Sequence, residues 1–390
     1  MTAHLSNVLW TDEELSFREE VRDFCQKEIA PVADEIDHGP YPRDLLRKIA
    51  EAGYMGVLHE KEVGGSKRGN SFEIIVAEEI SAVNGGLDMA RMSSTTLYGM
   101  PVSKFGTEEQ KEKYLKPIIT GEKIGCIGIT EPNVGSDAAR METRAEKDGD
   151  EWVINGEKRY ITNGSQADYM CCFAITDPSV NSRQGMSAFI VDTETDGFSV
   201  VKDHDLMGMK SARVSHLKLE DVRVKPGMLL GEPGQGFAIL MDELDSERTA
   251  IAGEAIGYGR TPYEICVKYA DERIQFHRKI REFEGVSFKI ADMAMKLEAG
   301  RALTLTAARM LDKGMKATKQ ASIAKLYTTE AAIEITNDAL QILGGAGYTT
   351  DYPIERFLRD ARLMTIGGGT VEILRYLIQR EVYKEFLPRK

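Results

Sequence analysis

The sequence predicts an α+β protein of several domains: a helical N-terminal domain, an antiparallel β-sheet middle domain and a helical C-terminal domain. Two observations lead to this prediction. The chain of 390 residues is longer than one ordinary domain. Helical spacing of apolar residues at both ends flanks a central stretch rich in Val, Ile and Thr. We place the domains at residues 1–123, 124–233 and 234–390.

The first predicted helix has a distinct start. Thr11 and Glu14 have the spacing of a capping box, in which two side chains satisfy backbone N–H groups at a helix N-terminus. Phe17, Val21 and Ile29 then follow at helical spacing along one apolar face. The pattern predicts a helix that packs this face against the rest of its domain.

The middle third of the sequence has a different texture. Between residues 124 and 232, short runs rich in β-branched residues alternate with Gly, Pro, Asn and Asp, as in "EWVINGEKRYIT" and "SHLKLEDVRV". Asn155-Gly156 between two apolar runs predicts a tight hairpin turn. Strands do not alternate with helices here, so the sheet is predicted to be antiparallel. Helical spacing returns at Phe237.

Composition and missing motifs exclude several function classes. The net charge of −12 leaves no basic surplus to neutralise phosphates, so no nucleic-acid partner is predicted. No stretch approaches the ~20 apolar residues of a membrane span, and the first residues lack a secretory pattern. Five cysteines without CxxC spacing predict reduced thiols and a cytoplasmic protein. Without an HExxH, P-loop or GxGxxG motif, neither a metal site nor a Rossmann nucleotide site is predicted.

Three consecutive glycines interrupt the helical pattern near the end of the chain. Gly367, Gly368 and Gly369 lie between "RFLRDARLM" and "ILRYLIQREV", both of which have helical spacing. Each glycine costs about 1 kcal/mol relative to alanine inside a helix, so the run marks a break. It forms either an ordinary turn or a place where something large passes close to the backbone.

One carboxylate lies within an apolar helical stripe. Over residues 237–253, Leu240, Leu244 and Ile251 fall on one side of a helix, with Glu247 in the middle. Burial there would raise the pKa of Glu247 and suit it to act as a general base near neutral pH. Alternatively, Glu247 only borders the stripe and is solvated or paired with a basic residue. The neighbouring acids are predicted to point elsewhere: Asp242, Glu243 and Asp245.

Five segments together resemble the signatures of the acyl-CoA dehydrogenase family, in the order in which that family has them. These are "GITEPNVGSDAA" (128–139), "NGEKRYITNGSQAD" (155–168), "ERIQFHRKI" (272–280), "QILGGAGYTTDYPIERFLRDAR" (341–362) and "GGGT" (367–370). Members of the family are flavoproteins that oxidise acyl-CoA thioesters to enoyl-CoAs. The resemblance implies a C-terminal four-helix bundle, a homotetramer, FAD bound partly by a neighbouring subunit, and electron-transfer flavoprotein as the electron acceptor.

The resemblance also implies which residues line the flavin of their own subunit. Tyr160 is a departure, because the family has a tryptophan there; its ring can still stack, but its hydroxyl needs a partner. Ser136 would lie near both the flavin and the thioester. The residues that match these two signatures are Ile127, Ile129, Thr130, Ser136, Tyr160, Ile161 and Thr162.

A second set matches positions that reach the FAD of a neighbouring subunit. An arginine suits this role because its guanidinium pairs with phosphate oxygens. His277 and Glu284 depart from the Gly and Gln that are common in the family at these positions. The residues of the set are Arg273, Phe276, Gln341, Gly344 and Gly345. Thr370 and Glu372 match FAD contacts that follow the glycine run.

The position of the catalytic base distinguishes branches of the family. Most members have a Glu where this chain has Gly368, and a glycine cannot accept a proton. The isovaleryl-CoA and long-chain branches instead carry the base in an aspartate-x-Glu-Arg context, which Asp245, Glu247 and Arg248 match. The resemblance therefore implies that Glu247 is the base and that Arg248 approaches the CoA. Leu244, Ser136 and the N–H of Gly368 would contact the substrate.

The acyl group and the acceptor stay open at this point. Small residues at Gly367 and Gly368 would widen the pocket beside the α-carbon, which favours a branched, cyclic or bulky acyl group. One alternative is an oxidase-like relative that passes electrons to oxygen, and another is a 1,4-dehydrogenation of an alicyclic acyl-CoA. A third is a non-catalytic relative that binds FAD or acyl-CoA, which would have no reason to keep a carboxylate at Glu247.

Overall fold

The computed structural model describes residues 9–387. Its first part is helical and begins as the sequence predicts. The Thr11 hydroxyl accepts a hydrogen bond from the Glu14 N–H at 3.2 Å, and the Glu14 carboxylate accepts one from the Thr11 N–H at 2.9 Å. The predicted capping box is therefore confirmed. The helices of this part are α1 Asp12–Phe24, α2 Ala33–His38, α3 Arg43–Glu51, α4 Asn70–Ser81, α5 Gly85–Met92, α6 Gly99–Phe105, α7 Glu108–Gln110 and α8 Lys116–Ile119.

An eight-stranded sheet forms the middle of the chain. Its strands are β1 Gly125–Gly128, β2 Arg144–Asp148, β3 Glu151–Thr162, β4 Tyr169–Ile175, β5 Met186–Asp192, β6 Phe198–Asp203, β7 Val214–Val224 and β8 Leu229–Leu230, with the short helix α9 Ser182–Gly185 before β5. The strand order is β6-β7-β3-β2-β4-β5-β8, and β1 pairs with β4. Most neighbours are antiparallel, as predicted; β1 with β4, and one residue pair of β2 with β4, are parallel.

The predicted hairpin turn at Asn155-Gly156 is wrong. Both residues lie inside β3, where the register with β7 shifts between Ile154 and Gly156. Gly156 has φ +156°, and a Cβ there would lie 2.4 Å from the Thr143 hydroxyl. The glycine is therefore required by close packing at a bulge, and the chain turns between β2 and β3 at Gly149 instead.

The last part is again helical. Its helices are α10 Gly236–Glu272, α11 Glu284–Asp312, α12 Thr318–Leu343, α13 Ile354–Met364 and α14 Val371–Phe386, with the hairpin β9 Ile274–Gln275 and β10 Arg278–Lys279 between α10 and α11. Helix α10 packs along α11 and α12, and α12 also packs against α14. The same long helix contacts α4 to α6 and strand β5. It thus lies where the three parts of the chain meet.

The fold class predicted from the sequence is confirmed: helices, then a mainly antiparallel sheet, then a helical bundle. Between residues 9 and 387, none of the helices combines the length and the apolar character that crossing a membrane requires.

Candidate active site

Helix α10 buries one stripe of side chains at the junction of the three parts. Leu240, Glu247 and Ile251 are 2%, 7% and 3% exposed, as helical spacing predicts. Leu244 is only half-buried. Glu243 is 2% exposed, so the prediction that it points elsewhere is wrong. Because it precedes Glu247 by four residues, it lies about 40° away around the helix and belongs to the same stripe.

The glycine run forms the turn between α13 and α14, and Glu247 lies against it. Gly368 has φ +63°, and a Cβ there would lie 2.5 Å from Ile251 Cδ1 and 3.3 Å from Glu247 Oε1. The space that a side chain at this position would need is therefore occupied by the stripe of α10. The run is both a turn and a place of close approach.

Lys325 of α12 holds this turn. Its Nζ donates to the carbonyl of Gly367 at 2.8 Å and to the carbonyl of Gly369 at 2.7 Å, so it bridges both sides of Gly368. The lysine is fully buried. The sequence did not point to it, because its partners are backbone atoms 42 and 44 positions away. One sequence signal could have indicated that Lys325 is buried: it follows the small residues Ala321 and Ala324, which are buried in the same helix.

Burial and two neighbouring cations act on the pKa of Glu247. Burial raises the pKa of Glu247, and the nearby cations Arg248 and Lys325 oppose that rise. Burial lowers the pKa of Lys325 to about 8, against the attraction of Glu247. A carboxyl with a raised pKa beside an ammonium with a lowered pKa is typical of a site that moves protons.

Arg248 is buried, and only one side of its guanidinium has a hydrogen-bond partner among the described residues. It is 5% exposed, and its Nη1 donates to Asp245 Oδ1 at 3.3 Å. Asp245 is held in turn by the Thr318 hydroxyl, which donates to its other oxygen at 2.7 Å. The buried Nε of Arg248 has no hydrogen-bond partner within residues 9–387. A guanidinium held in this way is suited to bind an acceptor that enters from outside the chain.

The two segments that resemble the flavin-binding signatures, residues 128–139 and 155–168, are joined to each other by hydrogen bonds. The Arg159 N–H donates to the Thr130 carbonyl at 2.8 Å. The residue before Arg159 and the residue after Thr130 are also joined: Lys158 Nζ donates to Glu131 Oε1 at 2.8 Å, and both side chains are buried. Of the predicted flavin-lining residues, Ile127 and Ile161 are buried, whereas Ile129, Thr130 and Thr162 are half-buried.

Tyr160 presents an open aromatic ring beside these segments. It has φ +59° at the irregularity where β3 leaves its register with β7, and it is 57% exposed. The His204 ring lies 5.0 Å from its ring at 34°, and the Arg159 guanidinium lies 4.9 Å from it. Arg159 Nε and His204 Nε2 are buried without partners among the described residues. An exposed ring beside such nitrogens fits a planar polar ring system.

Three further predicted residues lie on loops and caps. Ser136 and Glu372 are exposed. Thr370 is half-buried and caps α14, where its hydroxyl accepts from the Ile373 N–H at 3.4 Å. This capping role was not predicted from the sequence.

The second predicted set lies at the far end of α10. It comprises Arg273, Phe276, Gln341, Gly344 and Gly345, all of them exposed. The Tyr269 hydroxyl donates to the Leu343 carbonyl at 3.5 Å and joins the ends of α10 and α12 there. Since Arg273 follows Glu247 by 26 positions, at 1.5 Å per helical residue the two are about 39 Å apart. One chain therefore does not bring this set to Glu247.

Gly368→Ala is expected to destabilise the protein by about 1–3 kcal/mol, because alanine is strained at positive φ and its Cβ would meet Ile251 and Glu247. Gly367→Ala is the matched control. A Cβ at Gly367 would meet nothing closer than 3.9 Å, so this change should be neutral or stabilise by up to about 1 kcal/mol. Urea unfolding measures both free energies, and equal values would contradict the packing described for Gly368.

Comparison with known proteins places this geometry in a family. The chain matches the family models of the acyl-CoA dehydrogenase N-terminal domain over residues 11–122, the middle domain over 126–222 and the C-terminal domain over 234–383. The probable acyl-CoA dehydrogenase YngJ of Bacillus subtilis (strain 168) is 40% identical over 375 residues, which cover 96% of this chain and 99% of that protein.

Two further relatives are similar over the same length. The caffeyl-CoA reductase-Etf complex subunit CarC of Acetobacterium woodii is 39% identical over 378 residues, which cover 96% of this chain and 100% of that protein. The structure of butyryl-CoA dehydrogenase from Megasphaera elsdenii is similar with a TM-score of 0.92 and 37% identity, covering 95% of this chain and 98% of that chain. The chain therefore belongs to the acyl-CoA dehydrogenase family of oxidoreductases.

Proposed function

We propose that the protein is an FAD-dependent acyl-CoA dehydrogenase in which Glu247 removes the α-proton of the thioester to give an enoyl-CoA. The observation that carries this proposal is the position of the Glu247 carboxylate next to Gly368, where a Cβ on the glycine would lie 3.3 Å from Glu247 Oε1. A buried carboxyl with a raised pKa therefore lies beside the position from which most of the family supplies its base. When bound, FAD accepts the hydride that leaves the β-carbon.

The glycine turn supplies the second part of the site. The N–H of Gly368 has no acceptor among residues 9–387, and we infer that it donates to the thioester oxygen as negative charge develops there. Lys325 supports this role because it fixes the carbonyls on both sides of Gly368. Arg248, whose buried Nε has no hydrogen-bond partner among residues 9–387, would hold an acceptor of the CoA, and Leu244 and Ser136 would border the substrate.

The residues present fit FAD. Tyr160, with its exposed ring, would lie along the flavin. Arg159 Nε and His204 Nε2, which have no hydrogen-bond partner among residues 9–387, would meet polar atoms of the flavin there. The half-buried and buried residues around it would complete the platform: Ile127, Ile129, Thr130, Ile161 and Thr162. Thr370 and Glu372 would contact FAD after the glycine turn.

We infer a homotetramer in which each FAD site is completed by a neighbouring subunit. The distance of about 39 Å along α10 between Glu247 and Arg273 supports this, because the second predicted set would otherwise serve no site. Phe276 at 85% and Tyr348 at 82% exposure are large apolar surfaces at that end of the bundle, which a partner subunit would cover.

The electron acceptor is proposed to be electron-transfer flavoprotein. CarC, which is named as a subunit of a reductase-Etf complex, is similar over its whole length to this chain. The missing side chain at Gly367, where a Cβ would meet nothing closer than 3.9 Å, favours a branched, cyclic or bulky acyl group, as in the isovaleryl-CoA branch; at Gly368 the corresponding space is filled by Ile251 and Glu247. If oxygen were the acceptor, the reduced flavin would reoxidise rapidly in air. A 1,4-dehydrogenation would give a different product.

The test is an anaerobic titration of the FAD-loaded protein with straight-chain, branched and cyclic acyl-CoAs, following the visible absorbance of the flavin. We expect one class, branched or cyclic, to bleach the flavin at the lowest concentration. Product analysis by mass spectrometry and NMR distinguishes a 2-enoyl-CoA from a 1,4-dehydrogenated ring. Slow reoxidation in air, accelerated by added electron-transfer flavoprotein, is expected. If no acyl-CoA bleaches the flavin, the non-catalytic alternative replaces the proposal.

A further inference from the structure

Glu243 is a buried acid of α10 to which the proposed chemistry gives no role. It is 2% exposed, and both of its carboxylate oxygens are sealed from solvent without a hydrogen-bond partner in residues 9–387. Within this range it is the one carboxylate with both oxygens in that state. Apart from Glu247, the other buried acids in this range accept hydrogen bonds, as Glu73 does from Arg91 and Glu131 from Lys158, each at 2.8 Å.

The surroundings of Glu243 do not satisfy it. Burial and the charge of Glu247 raise its pKa, while Arg248 and Lys104 oppose that rise. The Lys104 ammonium is itself engaged with Asp242 at 2.7 Å. A buried carboxyl without a partner costs folding free energy, and an apolar side chain would fill the same space more favourably. A partner from outside the chain would remove this cost.

The stripe of α10 indicates where that partner would come from. Glu243 lies one helical turn, about 6 Å along the axis, from Glu247. One turn further, Leu240 packs in the apolar core with Val102 of α6 and Cys171 of β4. The stripe from Glu247 to Leu240 therefore runs into the interior. An acyl chain can follow this direction from an α-carbon at Glu247, whereas the large, charged CoA must stay toward solvent.

We propose that Glu243 recognises a neutral polar group, a hydroxyl or a carbonyl, which the acyl chain of the substrate carries about one helical turn beyond its α-carbon. This inference rests on the proposed function, because it takes the α-carbon to lie at Glu247. Two ionised carboxylates one turn apart repel each other, so an ionised base at Glu247 keeps Glu243 neutral. A neutral carboxyl offers one donor and one acceptor, which match a hydroxyl or a carbonyl.

The test compares acyl-CoAs of one chain length that end in a methyl, hydroxyl, ammonium or carboxylate group, with the hydroxyl also moved along the chain. In the wild type, the best hydroxylated chain is expected to bleach the flavin with a second-order rate constant about tenfold or more above that of the methyl chain. Glu243→Leu should abolish or reverse this preference. Glu243→Gln, which keeps a donor and an acceptor, should retain it.

A second readout does not depend on turnover. Glu243→Leu is expected to raise the melting temperature, because it removes an unpaired buried carboxyl; a lower value would indicate a structural acid and overturn the inference. Equal rates for methyl and hydroxyl chains, or a preference that survives in Glu243→Leu, would also overturn it while leaving acyl-CoA oxidation intact. If the wild type preferred the ammonium or the carboxylate chain, the inference that a neutral Glu243 recognises a neutral group would be overturned. If no chain bleaches the flavin, the proposed function fails, and the melting temperature still decides the role of Glu243.

Discussion

Replacing Glu247 by glutamine is expected to slow substrate-dependent bleaching of the flavin by about 10²–10⁴-fold. Glutamine has nearly the shape of glutamate, so the packing next to Gly368 can persist while the proton acceptor is lost. Stopped-flow absorbance under anaerobic conditions measures the rate, and the flavin content shows whether FAD stays bound. Glu264→Gln is the matched control, because Glu264 is exposed on the same helix. Bleaching at the wild-type rate in Glu247→Gln would show that another group is the base.

The pH dependence gives a second measure of the same residue. Because burial raises the pKa of Glu247 above its ordinary value of 4.5, the wild-type rate should fall as pH drops through that raised value. For stability the sign is opposite. The folded state binds the proton more tightly than the unfolded state, so the free energy of unfolding falls as pH rises above 4.5. Glu247→Gln should therefore gain stability relative to the wild type as pH increases, which urea unfolding measures.

Replacing Lys325 by methionine is expected to lower the bleaching rate by about 10²-fold. The ammonium fixes the carbonyls of Gly367 and Gly369, so its loss lets the Gly368 N–H move away from the position of the thioester oxygen. The unpaired carbonyls should also cost about 1–3 kcal/mol of stability. The rate is measured by the same anaerobic assay, with thermal and urea unfolding beside it.

The control and the pH profile separate positioning from general damage. Lys319→Met is the matched control, because Lys319 lies on the same helix but pairs with Glu385 at the surface. Since the charge of Lys325 opposes the raised pKa of Glu247, its removal should move the acid limb of the rate profile to higher pH. A loss of rate with an unmoved acid limb would indicate that Lys325 only stabilises the fold.

The order of the three parts could be predicted from the sequence, because each depends on local periodicity. The helical first and last parts of the chain and the strand-rich middle follow from residue spacing over short windows. The hairpin at Asn155-Gly156 failed for the opposite reason. A local turn signal was outweighed by the approach of Thr143, which directly precedes the neighbouring strand β2 and requires a glycine at that point of β3.

Some residues of the candidate site could likewise be predicted from the sequence, and others could not. The buried position of Glu247 could be predicted because the residue lies in an apolar helical stripe, whereas its role as the base, to which a family motif points, stays a prediction. Lys325 could not, because it bonds to main-chain carbonyls, which carry no sequence signal. Glu243 was misplaced because its acidic side chain suggested solvent, whereas its spacing of four residues from Glu247 fixes it in the buried stripe.

The position of Glu247 in the space that a side chain at Gly368 would need also constrains how such a site can change over evolutionary time. A carboxylate at one of the two positions occupies the volume that a side chain at the other would need. A lineage that gained Glu at 368 first would crowd its existing base, and one that lost Glu at 247 first would have none. In the proposed mechanism, single-step mutational paths between the two arrangements therefore cross a state of low fitness, so each arrangement should persist within its own lineage once established.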